Sequence, residues 1–218
     1  MLKKELIERT KRFLLQKYAE GEYLALHPEA KTYRIEHSYR VANIGRQIAK
    51  SEGFDETEMV IACLLHDVSY CETFGESGWQ EHGRRGAHIA RPFLTELGLN
   101  KARINDICYG IAIHVDDKAD FEGERTAFAL TVGDADNIDR FDVLRLHETL
   151  CRDKFLDLRF EEKLELASRH AQRLRELQEI KMGTATAEAI WRERLAFSRS
   201  FYAKMIAQLR SSEAIFGE

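Results

Sequence analysis

Proline is nearly absent from this chain, with two in 218 residues. Proline is disfavoured in helix interiors, so its scarcity favours a helical protein. No apolar run approaches the length needed to cross a bilayer. The N-terminus, MLKKELIERTKRFLLQKYAE, lacks the apolar core and small-residue cleavage site of a secretory signal. Cys63, Cys71, Cys108 and Cys151 form no CxxC pair. Cys63 and Cys108 sit in apolar helical runs and read as reduced core thiols of a cytoplasmic protein. A strong basic footprint is also missing. The net charge of −4 argues against nucleic acid as the main partner, while leaving room for a local basic patch. Internal repeats, low-complexity tracts and Pro/Ser-rich linkers are absent too.

What is present reads as helix almost throughout, and the fold class expected is all-α. The length suits one large domain or two small ones, and the expectation taken is a single domain over 1–218. Residues 2–20 are amphipathic. A second helix is expected from Arg34 to Glu52, and a third after Asp55 ending at Asp67. Residues 68–82 read as a loop with Gly75 and Gly78 as breakers. Helix resumes over 84–97, where Pro92 predicts a kink or early turn. Asn100 is a suitable N-cap for a helix over 101–115. A loop, DDKADFEG, precedes a helix from Arg125 to Ile138. Two long helices, 143–181 and 186–211, then form a C-terminal hairpin broken at Met182-Gly183-Thr184.

The chemistry lies in where polar residues fall on these helices, using the i, i+3/i+4, i+7 rule. His37 shares a stripe with Val41, Ile44 and Ile48. Asp67 continues the face of Val60, Cys63 and Leu64, and His66 continues that of Met59 and Ala62. His114 follows Ile104, Ile107 and Ile111, while Asp134 lines up with Ala127 and Leu130. His82 stands before the helix of HGRRGAHIA as a fifth contributor. A single core histidine usually needs no more than a backbone hydrogen bond, but so many core-facing imidazoles and carboxylates are hard to obtain by chance. They are the donor set of Mn, Fe, Ni or Zn, with no thiolate among them.

The ordered motifs HSYRVANIGRQIA, ACLLHDV, EHGRRGAHIA, IAIHVDD and VGDADNIDRFD resemble the HD-domain superfamily of metal-dependent phosphohydrolases over roughly residues 30–145. The resemblance implies a helical bundle around the metal, with the long C-terminal helices outside the family core. It implies His37, His66, Asp67 and Asp134 as ligands of one ion. His82 and His114 match the additional histidines of two-metal members, in which Asp67 would bridge. The cofactor implied is one or two divalent ions of Fe, Mn, Ni, Mg or Zn. The paired late histidine and GYP segment of the cyclic-dinucleotide branch are not found, since Val115 follows His114.

The activity implied is hydrolysis of a nucleotide or other small phosphorylated compound, with no membrane partner; an oligomer is compatible with the C-terminal helices. Asp67, Glu72 and Lys118 are the candidate catalytic residues, Glu72 for activating water. Arg40, Arg84, Arg85, Lys118 and Arg140 are candidate phosphate contacts, with Arg40 alternatively the partner of a carboxylate within the bundle. Competing readings are a di-iron oxygenase on the same scaffold, a non-catalytic nucleotide or metal sensor, and a purely structural helical protein.

Overall fold

In a computed structural model, residues 2–74 and 78–216 are described. Gly75, one of the two expected loop breakers, lies outside them. Ten α-helices and no strand occur among the described residues. The chain divides into two compact units, Met1–Asp139 with Gly183–Ala187, and Arg140–Met182 with Glu188–Glu218.

The first unit contains α1 (Lys3–Glu20), α2 (Glu22–Leu26), α3 (Pro28–Glu52), α4 (Glu56–Leu65), α5 (His82–Glu96), α6 (Lys101–Ile113) and most of α7 (Ala127–Arg140). Its centre is α4. Asp55 caps that helix by accepting from the Thr57 and Glu58 backbone N–H groups, and every residue from Met59 to Leu65 is buried. A helix apolar on all sides belongs in the middle of a bundle, and α4 packs on α1, α3 and α6. Each fully buried Leu or Ile contributes about 1.5–3 kcal/mol from apolar burial. The chain leaves this helix at His66, which places the His66-Asp67 pair at the heart of the unit.

Three sequence expectations need correction here. The second long helix starts at Pro28, six residues before Arg34. Proline at the first helical position gives up no hydrogen bond there, and its fixed φ suits the first turn. Pro92 does not end its helix; α5 runs through it to Glu96. Pro92 is exposed, so the carbonyl it leaves without a donor is on the solvent side. The expected loop 68–82 contains two 3-10 turns, Val68–Cys71 and Gly78–Glu81. The Asn100 cap is present and accepts from the Arg103 N–H.

The second unit contains α8 (Val143–Arg152), α9 (Phe160–Glu176) and most of α10 (Ala185–Phe216). The single helix expected over 143–181 is therefore two. Lys154 adopts a left-handed backbone conformation, φ 48°, which a continuous right-handed helix cannot contain. The chain restarts at Arg159, whose N–H donates to Glu162 Oε2 at 2.8 Å. No described helix is long and apolar enough to cross a membrane, and all four cysteines are free thiols.

Candidate metal centre

Four histidines from four helix ends or faces converge on Asp67. Oδ2 of Asp67 lies 3.7 Å from His37 Nε2 and 3.6 Å from His66 Nε2. Its other oxygen, Oδ1, lies 3.3 Å from His82 Nε2 and 3.7 Å from His114 Nε2. Two groups can each hold a metal ion, His37-His66-Asp67 and Asp67-His82-His114, with their donor atoms within 4.8 Å of one another. One carboxylate serves both groups. His37, His66, Asp67 and His82 are buried, and the His114 side chain is 1% exposed.

The local sequence explains the convergence. His66 ends α4, His114 ends α6 and His82 opens α5. Gly83 lets α5 approach α6: a Cβ there would meet the Ala112 carbonyl oxygen at 2.6 Å. Any larger residue at 83 would push His82 away from His114. The Tyr18 hydroxyl, from α1, donates to the Asp67 carbonyl at 3.1 Å and ties down the backbone of the pair.

The far nitrogens of the imidazoles show what the near ones are for. His66 Nδ1 donates to the Cys63 carbonyl and His114 Nδ1 to the Ile111 carbonyl, each at 2.7 Å. His82 Nδ1 donates to the Trp79 carbonyl. A carbonyl only accepts, so these three rings carry their proton on Nδ1 and present a bare lone pair at Nε2. His37 Nδ1 faces Asp139 Oδ2 at 2.7 Å, and Asp139 is itself held by Arg40 at 2.7 and 3.1 Å. The inward nitrogens nevertheless sit 3.2 Å apart in His66 and His37 and 3.1 Å apart in His82 and His114. Lone pairs at that distance need a cation or an extra proton between them. Histidines oriented by carbonyl or carboxylate acceptors behind the ring are the usual arrangement of metal ligands, and the donor set fits a divalent ion.

The charges divide unevenly among these groups. Burial opposes charge on His37, but Asp136 and Asp139 outweigh it and raise its pKa to about 9. Burial lowers His66 to about 4, against the pull of Asp67 and Asp136. Burial also opposes charge on Asp67, yet His66, Arg34, His114 and His82 hold it well below the usual carboxylate range.

Among the sequence candidates, His37, His66, Asp67, His82 and His114 come together. Asp134 does not take the place expected for it. Its Oδ2 accepts the Gly183 N–H at 2.8 Å, and the carboxylate facing the histidines is Asp136, with Oδ1 3.1 Å from His37 Nε2 and 3.8 Å from His66 Nε2. Buried residues of α7 form two stripes, one of Thr131, Asp134, Ala135 and Ile138, and one of Ala129, Val132, Asp136 and Asp139 that faces His37. Choosing that stripe would have found both Asp136 and Asp139.

The cation candidates are mostly engaged elsewhere. Arg40 supports Asp139, the carboxylate partner foreseen as its alternative role. Arg84 is held by Asp116 at 2.9 and 3.1 Å, and Arg85 pairs with Glu72 at 3.4 Å and Glu81 at 3.5 Å. Glu72 is thus an exposed partner of Arg85. Lys118 is exposed in the loop after α6, and Arg140 belongs to the second unit. Arg34 was missed, although its Nη1 lies 2.6 Å from Asp67 Oδ2 and its guanidinium lies over the Tyr70 ring at 3.4 Å. The signal was available: Arg34, His37 and Val41 share one stripe of α3.

Residues 34–141 match the HD domain family. This is an HD-domain protein. The matched residues include every histidine of the centre together with Asp67, Asp136 and Asp139. The chain is also similar to the crystal structure of a predicted HD superfamily hydrolase from an uncultured Thermotogales bacterium. That similarity has a TM-score of 0.61 at 20% identity and covers 95% of this chain and 99% of the other. It establishes a shared all-helical fold. No curated protein matches the chain. HD domains are of metal-dependent phosphohydrolase type and bind divalent metals, in keeping with the His/Asp groups here.

Proposed function

We propose that the protein is a metal-dependent phosphohydrolase acting on a nucleotide or other small phosphorylated compound. The observation that carries this reading is the carboxylate of Asp67, shared between two histidine groups whose Nε2 atoms all point inward. His37, His66, Asp67 and Asp136 would hold one ion, and Asp67, His82 and His114 a second. Divalent ions held there lower the pKa of a water toward neutrality and polarise a phosphoryl oxygen.

The chain's own residues supply the rest. Phosphoryl transfer depends chiefly on positioning and charge stabilisation, so a fixed cation beside the centre matters. Arg34 fills that role: its contact with Asp67 and the Tyr70 ring hold the guanidinium in place, with further N–H groups to offer a phosphate. Asp139 keeps the His37 proton on Nδ1 and its lone pair toward the centre. Lys118 is a second cation available to the substrate from the loop after α6.

The test is phosphate release from a panel of nucleoside monophosphates and simple phosphomonoesters, with Mn, Fe, Ni, Mg and Zn each added to metal-free protein. Release that depends on a metal and falls on the order of 10²-fold in Arg34→Ala, with metal content unchanged, supports the reading. Uptake of oxygen by a di-iron form with no phosphate release would replace it with the oxygenase reading. Metal binding with neither reaction would replace it with a sensor.

A further inference from the structure

The second unit has a cavity of its own. Its volume is about 240 Å³, and three helices build it from residues at helical spacing. Helix α8 contributes Arg145, Thr149 and Arg152 at i, i+4 and i+7, and α9 contributes His170 and Arg173 at i and i+3. Ser198 and Tyr202, at i and i+4, come from α10. Arg140 completes the lining, which holds four guanidinium groups. Asp142 is the one lining carboxylate. It caps α8 through the Val143 N–H and pairs with Arg194 at 3.2 Å.

Three of the four arginines pair with acids that do not line the cavity, and so does His170, whose Nε2 lies 3.1 Å from Asp153 Oδ2. Arg145 pairs with Glu148 at 3.5 Å, Arg152 with Asp153 at 3.2 Å and Arg173 with Glu176 at 3.4 Å, and none of the three acids lines it. Each pair joins neighbours on one surface, a kind that holds weakly in water. The lining itself holds four arginines against one carboxylate. It also has an aromatic wall, because the His170 ring stacks on Tyr202 at 5.1 Å. Burial raises the Tyr202 hydroxyl to about 12, so it stays a neutral O–H at ordinary pH.

We infer that this cavity is a second, metal-free ligand site that binds a phosphate-bearing small molecule. Guanidinium groups take phosphate oxygens through paired N–H donors, hydroxyls at Thr149 and Tyr202 add neutral donors, and the stacked rings offer an apolar face to the rest of the molecule. A phosphate ligand needs no ion here, unlike one at the Asp67 centre, and this inference stands apart from the hydrolase reading.

Calorimetry with inorganic pyrophosphate on metal-free protein tests it. The expected result is saturable binding of one pyrophosphate per chain, weakened at least tenfold in Arg145→Gln/Arg173→Gln and unchanged in His82→Ala. Arg173 is largely exposed, so the single variant Arg173→Gln, expected to weaken binding alone, guards against loss of folding in the pair. The inference is overturned by the absence of saturable binding, by equal binding in the arginine variants, or by binding lost in His82→Ala, which would put the anion at the metal centre.

Discussion

On the Oδ2 side of Asp67, two imidazoles are joined by a second carboxylate, Asp136, and one of the rings is backed by a charged residue, Asp139. On the Oδ1 side, His82 and His114 group with Asp67 among the described residues and are backed by neutral carbonyls of Trp79 and Ile111. A carboxylate behind the imidazole raises its basicity, and an additional anionic donor adds charge attraction to the ion. The two sides share the Asp67 carboxylate yet differ in donor number and backing. On the proposed reading, an ion on the Oδ2 side would be held more tightly than one on the Oδ1 side. The Oδ1 side also draws on the short turn Gly78–Glu81, whereas the Oδ2 side draws on the interior of α3, α4 and α7.

That contrast can be broken by substitution. The largest effect is expected in His82→Ala, which should lose the Oδ1-side ion entirely and keep the other, read as metal content per chain. Next comes Asp136→Asn, expected to weaken the Oδ2-side ion by more than about 100-fold, above the range typical of outer partners. Asp134→Asn should leave metal affinity unchanged, because its Oδ2 holds the Gly183 backbone. A reversed order in metal titrations would return Asp134 to the ligand set. The smallest measurable loss belongs to Asp139→Asn. It keeps the shape but removes the charge behind His37, and should cost about 10-fold, at the low end for an outer partner. Equal losses of both ions in Asp139→Asn would erase the distinction between the two sides.

The same contrast shows what could be read from the sequence. His66-Asp67, His37 and His114 were legible because each continues an apolar stripe, and burial forces such a residue to find a partner. Asp134 and Asp136 were not separable by that rule. Both are buried on α7, and only the packing of that helix decides which faces His37. Arg34 was hidden by a helix start placed too late: with α3 opening at Pro28, it is an interior position one turn before His37. The break between α8 and α9 left no glycine or proline to mark it. It depends on the left-handed backbone of Lys154, a conformation lysine adopts only when its surroundings require it. Arg40, Arg84 and Arg85 were plausible phosphate contacts by position, but each had a carboxylate within reach that a one-dimensional reading cannot see.

The most direct test of the bridging role of Asp67 is the number of ions per chain, counted by native mass spectrometry on protein purified without chelator or a metal-binding tag, in the unaltered chain and in Asp67→Ala. The account predicts two ions in the first and none in the second, with helical content preserved in both. Two ions retained in Asp67→Ala, or no ion bound by the unaltered chain with any divalent metal added back, would contradict it.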